Sequence, residues 1–480
     1  MTEESDRAEP GFDPELSEGE SNLSDRRARW AQANLDAGTR AMVEADARAF
    51  LHQSVSTPCL NGIARAEGIW IEDLQGRRYM DFHGNSVHHI GYGHPRLIAA
   101  IKDQLDSLPF SPRRYTNAVA VELAEKLGAI SPGGLSPNGL SKVLFTTGGS
   151  DAIEVALKLA RAATGRFKTI SFWDAFHGAG FGASSVGGEQ LFHSGAIGPL
   201  LTGAEHVAPF NCARCPYGYP APAVGPDGQP DLEPCQMTCA NMVRYVLEKQ
   251  GDVAAVIAEP IRAVPTIPPP GYWRSVRQAC HDAGALLIFD EIPTGLGRTG
   301  HMFACAPEDA IPDILVLGKA LGGGVLPIAA VLARPELDVA GAYAIGHYTH
   351  EKNPVTARAA LTTLQIIEDE GLPERSASLG AKALERLHAM KDKHKIIGDV
   401  RGRGLLLGVE LVDVGRAGGR DTKTPATDAA EEIFYRALEA GLSFKVTMGN
   451  VLTLTPPLTI AEAELERALG ILEGCVAEVV

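Results

Sequence analysis

Three groups of residues in this sequence have types and spacings that could do chemistry. Thr147-Gly148-Gly149-Ser150-Asp151 follows the apolar run Lys142-Val143-Leu144-Phe145-Thr146. Asp290-Glu291 follows Ala285-Leu286-Leu287-Ile288-Phe289, and Gly318-Lys319 follows Ile314-Leu315-Val316-Leu317 and precedes Gly322-Gly323-Gly324. A glycine turn that opens a helix exposes backbone N–H groups at the positive end of the helix dipole, a seat for phosphate. A carboxylate at a buried strand end caps a helix or pairs with a cation. A lysine there is stripped of water, and a desolvated amine is the nucleophile that condenses with carbonyls. Each group alone also has an ordinary structural reading. Their order along one chain is harder to dismiss.

The elements that must position them are legible as a pattern. From about residue 120 to 365, short apolar runs (142–146, 169–172, 253–258, 285–289, 314–317) alternate with helical stretches such as 151–163 and 273–283. That alternation predicts a mostly parallel sheet covered on both faces, whose ligands sit at the carboxyl ends of the strands. All three groups fall at such ends. Before this region, a helical stretch spans 27–51, a hairpin turns at Gln75-Gly76, and apolar residues repeat at helical spacing over 95–105. After it, helices near 373–391 and 427–440 and strands near 405–411 and 451–455 read as a smaller α+β lobe. The expected division is a disordered acidic tail over 1–25, the first part of a small domain over 26–100, a large domain over 101–365 and the rest of the small domain over 366–480.

A phosphate cup, a carboxylate for a pyridinium nitrogen and a Schiff-base lysine are what pyridoxal phosphate (PLP) requires of a protein. With Phe176-His177-Gly178, Glu259-Pro260, Asp290-Glu291-Ile292 and Gly297-Arg298-Thr299-Gly300 in the same order, the chain resembles the class III (ω-amino) aminotransferases, a family of fold-type I PLP enzymes, from about Gly62 onward. The resemblance implies a large domain with a mostly parallel seven-stranded sheet and a small α+β domain. It assigns the PLP amine to Lys319, the ring-nitrogen acid to Asp290 and the phosphate cradle to the backbone of Gly149 and Ser150. Phe176 and Ile292 would cover the two ring faces, with His177 beside the ring and Glu259 lining the pocket. Thr349 would reach the PLP phosphate of a neighbouring subunit, which implies a homodimer with shared active sites.

The chain departs from the family's pattern in places. Pro293 stands where most members carry a glutamine that donates to the cofactor's ring hydroxyl, so a water or another residue must serve there, or the ring's electronics differ. Arg401-Gly402-Arg403-Gly404 fits the family's carboxylate-gripping motif. The glutamate that parks this arginine in several aminotransferases is missing from Glu259-Pro260-Ile261-Arg262-Ala263-Val264-Pro265, and Arg262 adds a cation. If Arg262 and Arg401 converge they suit a doubly charged anion, because guanidinium forks bind phosphonate or phosphate in bidentate fashion; otherwise Arg262 is a surface or interface residue. The polar segment 81–89, with His83, Asn85, His88 and His89, either binds an anionic or hydroxylated substrate or satisfies a tight turn. Arg113-Arg114-Tyr115 is read the same way. Together these features are similar to the branch of PLP lyases that release ammonia from an aminophosphonate, giving an aldehyde; the alternative is an ω-aminotransferase with a keto-acid acceptor.

Cys212-x-x-Cys215 and Cys235-x-x-x-Cys239, in the Pro- and Gly-rich segment around 209–234, have spacings compatible with a structural four-thiolate zinc site or with buried reduced thiols. The 44 Lys and Arg against 59 Asp and Glu give a net charge of −15, which argues against nucleic acid as a partner and leaves a small anionic amine as the expected one. No apolar run approaches the ~20 residues of a membrane span. Neither a G-x-G-x-x-G opening a helix nor a Gly-Lys-Ser/Thr phosphate loop is present. The polar, acidic start lacks the look of a secretory signal, so the expected location is the cytoplasm.

Overall fold

Four consecutive strands of the central sheet carry no charged residue until their last positions, and the structure buries them entirely. Val253–Ala258, Leu286–Asp290, Ile314–Leu317 and Ala329–Ala333 are covered on both faces, as near-continuous apolar runs require. The computed structural model describes residues 23–479 except residues 55, 138, 194, 224, 226–228, 309 and 416–419. The expected tail over 1–25 therefore lies almost wholly outside the described residues; its last residue begins the helix Asp25–Asn34, which Ser24 caps.

The seven-stranded sheet runs in the order Lys142–Thr146, Ala329–Ala333, Ile314–Leu317, Leu286–Asp290, Val253–Ala258, Lys168–Phe172, Ala204–Val207. Neighbours are parallel from Ile314–Leu317 to Ala204–Val207. Ala329–Ala333 runs antiparallel to both of its partners. Alternate residues feed two cores. Ile257, Ile288, Val316 and Val331 pack with the helix Gly149–Thr164, and Val256, Leu287, Phe289 and Leu315 pack on the other side with Trp273 and Tyr272 of the helix Tyr272–Ala283. The seven-stranded α/β architecture is the one the family resemblance implies. Two of its strands, Ala204–Val207 and Ala329–Ala333, were not among the runs picked out by pattern.

A second, smaller group of sheets draws on both ends of the chain. Ile63–Glu67, Trp70–Asp73 and Arg78–Asp81 form a meander, and Leu442–Ser443 joins it in parallel beside Arg78–Asp81, pairing Leu442 with Met80. Ile397–Arg403, Leu406–Val414, Val451–Leu454 and Lys445–Thr447 make the other sheet. The expected boundaries at 100/101 and 365/366 fall inside the helices Pro95–Ser107 and Pro354–Asp369, so neither is a linker. The helix expected over 27–51 is two helices. Asp36 adopts extended backbone and caps Ala37–Ala49, its carboxylate accepting from the Thr39 N–H at 2.7 Å.

Arg298 joins the small sheets to the large domain. Its guanidinium is fully buried and donates to the carbonyls of Leu405 and Pro456 and to His89 Nδ1, while His89 Nε2 donates to Gly295 O at 3.2 Å. No carboxylate pairs with Arg298 among the described residues, and burial brings it down to about 9. Close backbone packing seals the same junction: a Cβ on Gly380 would collide with the carbonyl of Gly404. We expect Gly380→Ala to lower stability by about 1–3 kcal/mol, seen as an earlier urea midpoint, while Gly470→Ala, which meets open space, leaves the midpoint unchanged or raises it.

Candidate active site

The carboxyl edge of the sheet gathers the groups that the sequence spreads over 170 residues. Asp290 ends its strand buried, and its carboxylate is held from two sides. His177 Nδ1 donates to Oδ2 at 2.8 Å, and the Ile292 N–H donates to Oδ1 at 3.0 Å. His177 is itself buried, and its Nε2 has no partner among the described residues. The imidazole therefore fixes the direction of the carboxylate from behind, as a second partner orients a reactive group.

Lys319 opens a short 3-10 turn one strand away, with φ +42° in the left-handed region that non-glycine residues rarely adopt. Its side chain is open to the cleft yet deeply enclosed, and loss of water lowers its ammonium below the usual lysine range. Asp290 and then Glu259 oppose that lowering, whereas Lys445 adds to it. Glu259 is buried at the end of the neighbouring strand and accepts from the Ala263 N–H at 2.8 Å. Burial raises its carboxyl, with Arg262 pulling it down and Asp290 pushing it up.

The glycine turn before the helix Gly149–Thr164 has a matching shape. The first N–H groups of that helix have no carbonyl within it to bond. A Cβ on Gly149 would stand 2.7 Å from Ile292 Cδ1, so glycine lets Ile292 lie across the turn. The Ser150 hydroxyl accepts from the N–H groups of Ala179 and Gly180 at 3.1 and 2.8 Å. It ties the loop carrying Phe176 and His177 to the helix start, where a Cβ on Gly178 would be 2.7 Å from Ser150 Oγ. Phe176 is half-exposed against Phe192, with ring centroids 4.4 Å apart. A cradle of free N–H groups, an oriented carboxylate, an enclosed amine and an apolar side chain beside the turn suit PLP.

Other expected residues divide. His83 lies in the cleft, and its imidazole falls to about 4, mainly through burial, with Lys445 and Lys319 adding to the fall. Asn85 is exposed in the adjoining turn Gly84–Ser86, which packs against the Lys319 turn. His88 and His89 are buried and spend their Nε2 atoms on the carbonyls of Asp81 and Gly295, the bland reading of that segment. Thr349 is exposed on the loop before the helix Pro354–Asp369, and Arg113, Arg114 and Tyr115 are exposed as well.

Arg401 does not join Arg262 as an open fork. Its guanidinium pairs with Asp399 at 2.8 Å and with Glu410, and it donates to Pro265 O; Arg214 pairs with the same Glu410. Two carboxylates already neutralise it, so the expected grip on a substrate anion is replaced by a cross-link between strands. The zinc expectation is also corrected. Cys212, Cys215, Cys235 and Cys239 line one apolar cavity of about 240 Å³ that shares no residue with the Lys319 cluster. Among the described residues, no group of three His, Cys, Asp or Glu side chains could hold a metal ion. Burial pushes the Cys212 thiol up and that of Cys239 to about 12.

Two residues in the cleft carry no sequence motif. Lys445 follows the strand Leu442–Ser443, and Glu189 follows the helix Phe181–Val186. Lys445 helps lower the Lys319 ammonium and the His83 imidazole, and Glu189 opposes the lowering that burial causes in Lys445.

The Aminotransferase class-III profile matches residues 52–476. The chain belongs to that family. It is accordingly a PLP-dependent enzyme. It is 45% identical over 467 residues to an (R)-1-hydroxy-2-aminoethylphosphonate ammonia-lyase of Vibrio splendidus, covering 96% of this chain and 95% of that one. A leucine/methionine racemase of Thermococcus litoralis is 36% identical, covering 86% and 90%. Among solved structures, a PLP-bound amine transaminase from an uncultivated Pseudomonas species superposes with a TM-score of 0.80 at 31% identity, covering 90% and 99%. No helix among the described residues is long and apolar enough to cross a membrane.

Two outcomes test the site. Lys319→Ala will abolish turnover and the visible absorption band of the bound cofactor. Arg401→Met will cost about 1–3 kcal/mol of stability by leaving the buried Glu410 carboxylate to Arg214 alone, while the holoenzyme's KM for its amine stays within about twofold, since the arginine's charge is already spent.

Proposed function

We propose that this enzyme is an ammonia-lyase acting on (R)-1-hydroxy-2-aminoethylphosphonate or a similar amine bearing a phosphonate or phosphate, and that it releases an aldehyde and ammonia. The observation that carries the reading is the likeness to the Vibrio ammonia-lyase at 45% over 96% of the chain, against 36% over 86% for the racemase. The state of Arg401 supports it. An aminotransferase that takes two kinds of substrate in one pocket benefits from an arginine that is freed and parked in turn, and this one is locked between Asp399 and Glu410.

In this reading Asp290, oriented by His177, keeps the cofactor's ring nitrogen protonated, and the N–H groups at Gly149 and Ser150 receive its phosphate. Ile292 and Phe176 hold the ring between them, and Glu259 lines the pocket. Bound PLP supplies the electron sink that acidifies the carbon bearing the amine. Lys319 Nζ is the base that takes that proton, a role helped by the desolvation that lowers its pKa. The C–O bond at the neighbouring carbon then breaks and the hydroxyl leaves as water, with a proton returned by the lysine. A second water hydrolyses the C–N bond, so the net change is loss of ammonia. No acceptor is consumed. His83, neutral at ordinary pH because of its burial, stands near enough to influence Lys319 and suits hydrogen bonding to the substrate's hydroxyl, with Asn85 at the rim.

Thr349, exposed within its own chain, is proposed to meet the PLP phosphate of a second copy, making the active unit a homodimer; a cytoplasmic location completes the proposal. The test is to supply the hydroxylated aminophosphonate to the holoenzyme without any keto acid. Ammonia and aldehyde in equal amounts are the expected result. Strict dependence on pyruvate or 2-oxoglutarate would make it an aminotransferase, and inversion of an amino acid without ammonia a racemase.

A further inference from the structure

Lys319 holds a left-handed backbone, and so does the turn that packs against it. Gly84, Asn85 and Ser86 run at φ +43°, +46° and +59°, and their turn lies on the short turn Lys319–Gly322. Val87, the next residue, brings its carbonyl so near Gly324 that a Cβ there would stand 3.3 Å from the oxygen. Asn85, Ser86 and Lys319 are not glycine, so each is strained in a way that persists only where the surroundings over-determine it. Strain on both sides of one contact calls for a fixed support.

That support is Asp81. It ends the strand Arg78–Asp81 and is buried, and no cation forms an ion pair with its carboxylate among the described residues. Oδ1 accepts from the His83 N–H at 2.9 Å, and Oδ2 accepts from the Gly84 N–H at 3.1 Å and from the Tyr92 hydroxyl at 2.6 Å. The Asp81 carbonyl accepts from His88 Nε2 at 3.1 Å. A Cβ on Gly84 would stand 2.4 Å from the His88 ring, whose centroid is 5.2 Å from that of Tyr92. Both ends of the left-handed turn are therefore fixed to one residue, His83 and Gly84 through its carboxylate and His88 through its carbonyl. A buried carboxylate answered by hydrogen bonds rather than by a cation depends on each of them.

We propose that Asp81, clamped by the Tyr92 hydroxyl, is a positioning residue for Lys319. It locks the left-handed turn Gly84–Ser86 as a wedge against the Lys319 turn and so fixes the direction from which the amine enters the cleft. Asp81 and Tyr92 act through that turn, at one remove from the amine. The assignment rests on Lys319 as the reactive base in the reading above, and not on which amine the enzyme takes.

The test is amide hydrogen exchange of the PLP-loaded enzyme, read on the peptide spanning 318–326. There the Leu321 and Gly323 N–H groups close the Lys319 turn on the carbonyls of Gly318 and Ala320, each at 2.9 Å. Tyr92→Phe keeps the ring and removes the donor. Exchange over 318–326 will quicken about tenfold or more, and kcat with the hydroxylated aminophosphonate will fall by about the same factor while KM stays within about threefold. Asp36→Ala, which loses a helix cap elsewhere, will leave both unchanged, so a general loss of stability does not imitate the effect. Adding Ser86→Gly to Tyr92→Phe relieves part of the strain and will return exchange and kcat to within about threefold of wild type. Unchanged exchange over 318–326 in Tyr92→Phe overturns the proposal whatever happens to turnover, and so does quicker exchange that Ser86→Gly does not slow. If Tyr92→Phe loses the visible cofactor band, the double variant decides: recovery of the band with near-wild-type exchange supports the wedge, and failure to recover overturns it. A wild type that releases no ammonia from the aminophosphonate removes the lyase reading, and exchange alone then decides the role of Asp81.

Discussion

The hydrogen bond from His177 to Asp290 sets the terms for everything around it. A carboxylate at the end of a buried strand is tolerable only if its charge is answered, and here an imidazole and the Ile292 N–H answer it while leaving it aimed at the cleft. Its negative charge, with that of Glu259, opposes the lowering of the Lys319 ammonium that burial causes. Each group keeps the others usable. The flanking glycines serve the same end, since Gly149 and Gly318 lie close under the Ile292 side chain and any larger residue at Gly149 would push it off the turn.

Much of this was legible because the chemistry sits at strand ends and strand ends are short-range features. Asp290 and Lys319 each follow an apolar run that can be seen in five residues, and the glycine turn at 148–149 announces its helix directly. The helical stretch over 27–51 reads as one element because its apolar spacing carries through Leu35, whereas the Asp36 side chain turning back on Thr39 divides it. Ala329–Ala333 carries a weak strand signal because three of its five residues are alanine and Val331 is its one β-branched residue.

Arg401 and Lys445 show where local reading stops. The Arg-Gly-x-Gly motif is visible at once, but its charge is cancelled by Asp399 and Glu410, and the second of these becomes a neighbour only through antiparallel pairing with the following strand. Lys445 has the opposite history. It sits in an unremarkable stretch, Leu442-Ser443-Phe444-Lys445, and gains meaning from groups hundreds of residues away. A charge's worth depends on what it meets, and no spacing rule reports that. The clustered cysteines fall between these cases: the spacing is right for a metal, yet the four side chains line an apolar cavity and, among the described residues, form no group that could hold one.

The parallel pairing of Leu442 with Met80 has a bearing on how the molecule comes into being. The meander near the amino end leaves the ribosome early, with a strand edge that stays bare until nearly all of the remaining chain has been made. Long-range parallel pairing is slow to form and exposed to aggregation in the interval. During synthesis the large domain can condense around its own sheet, whereas the half-built small lobe must wait, a natural client for a chaperone that shields strand edges. The last strands to arrive, Leu442–Ser443, Lys445–Thr447 and Val451–Leu454, belong to the small lobe, so a nascent enzyme acquires its cofactor lysine well before that lobe is complete.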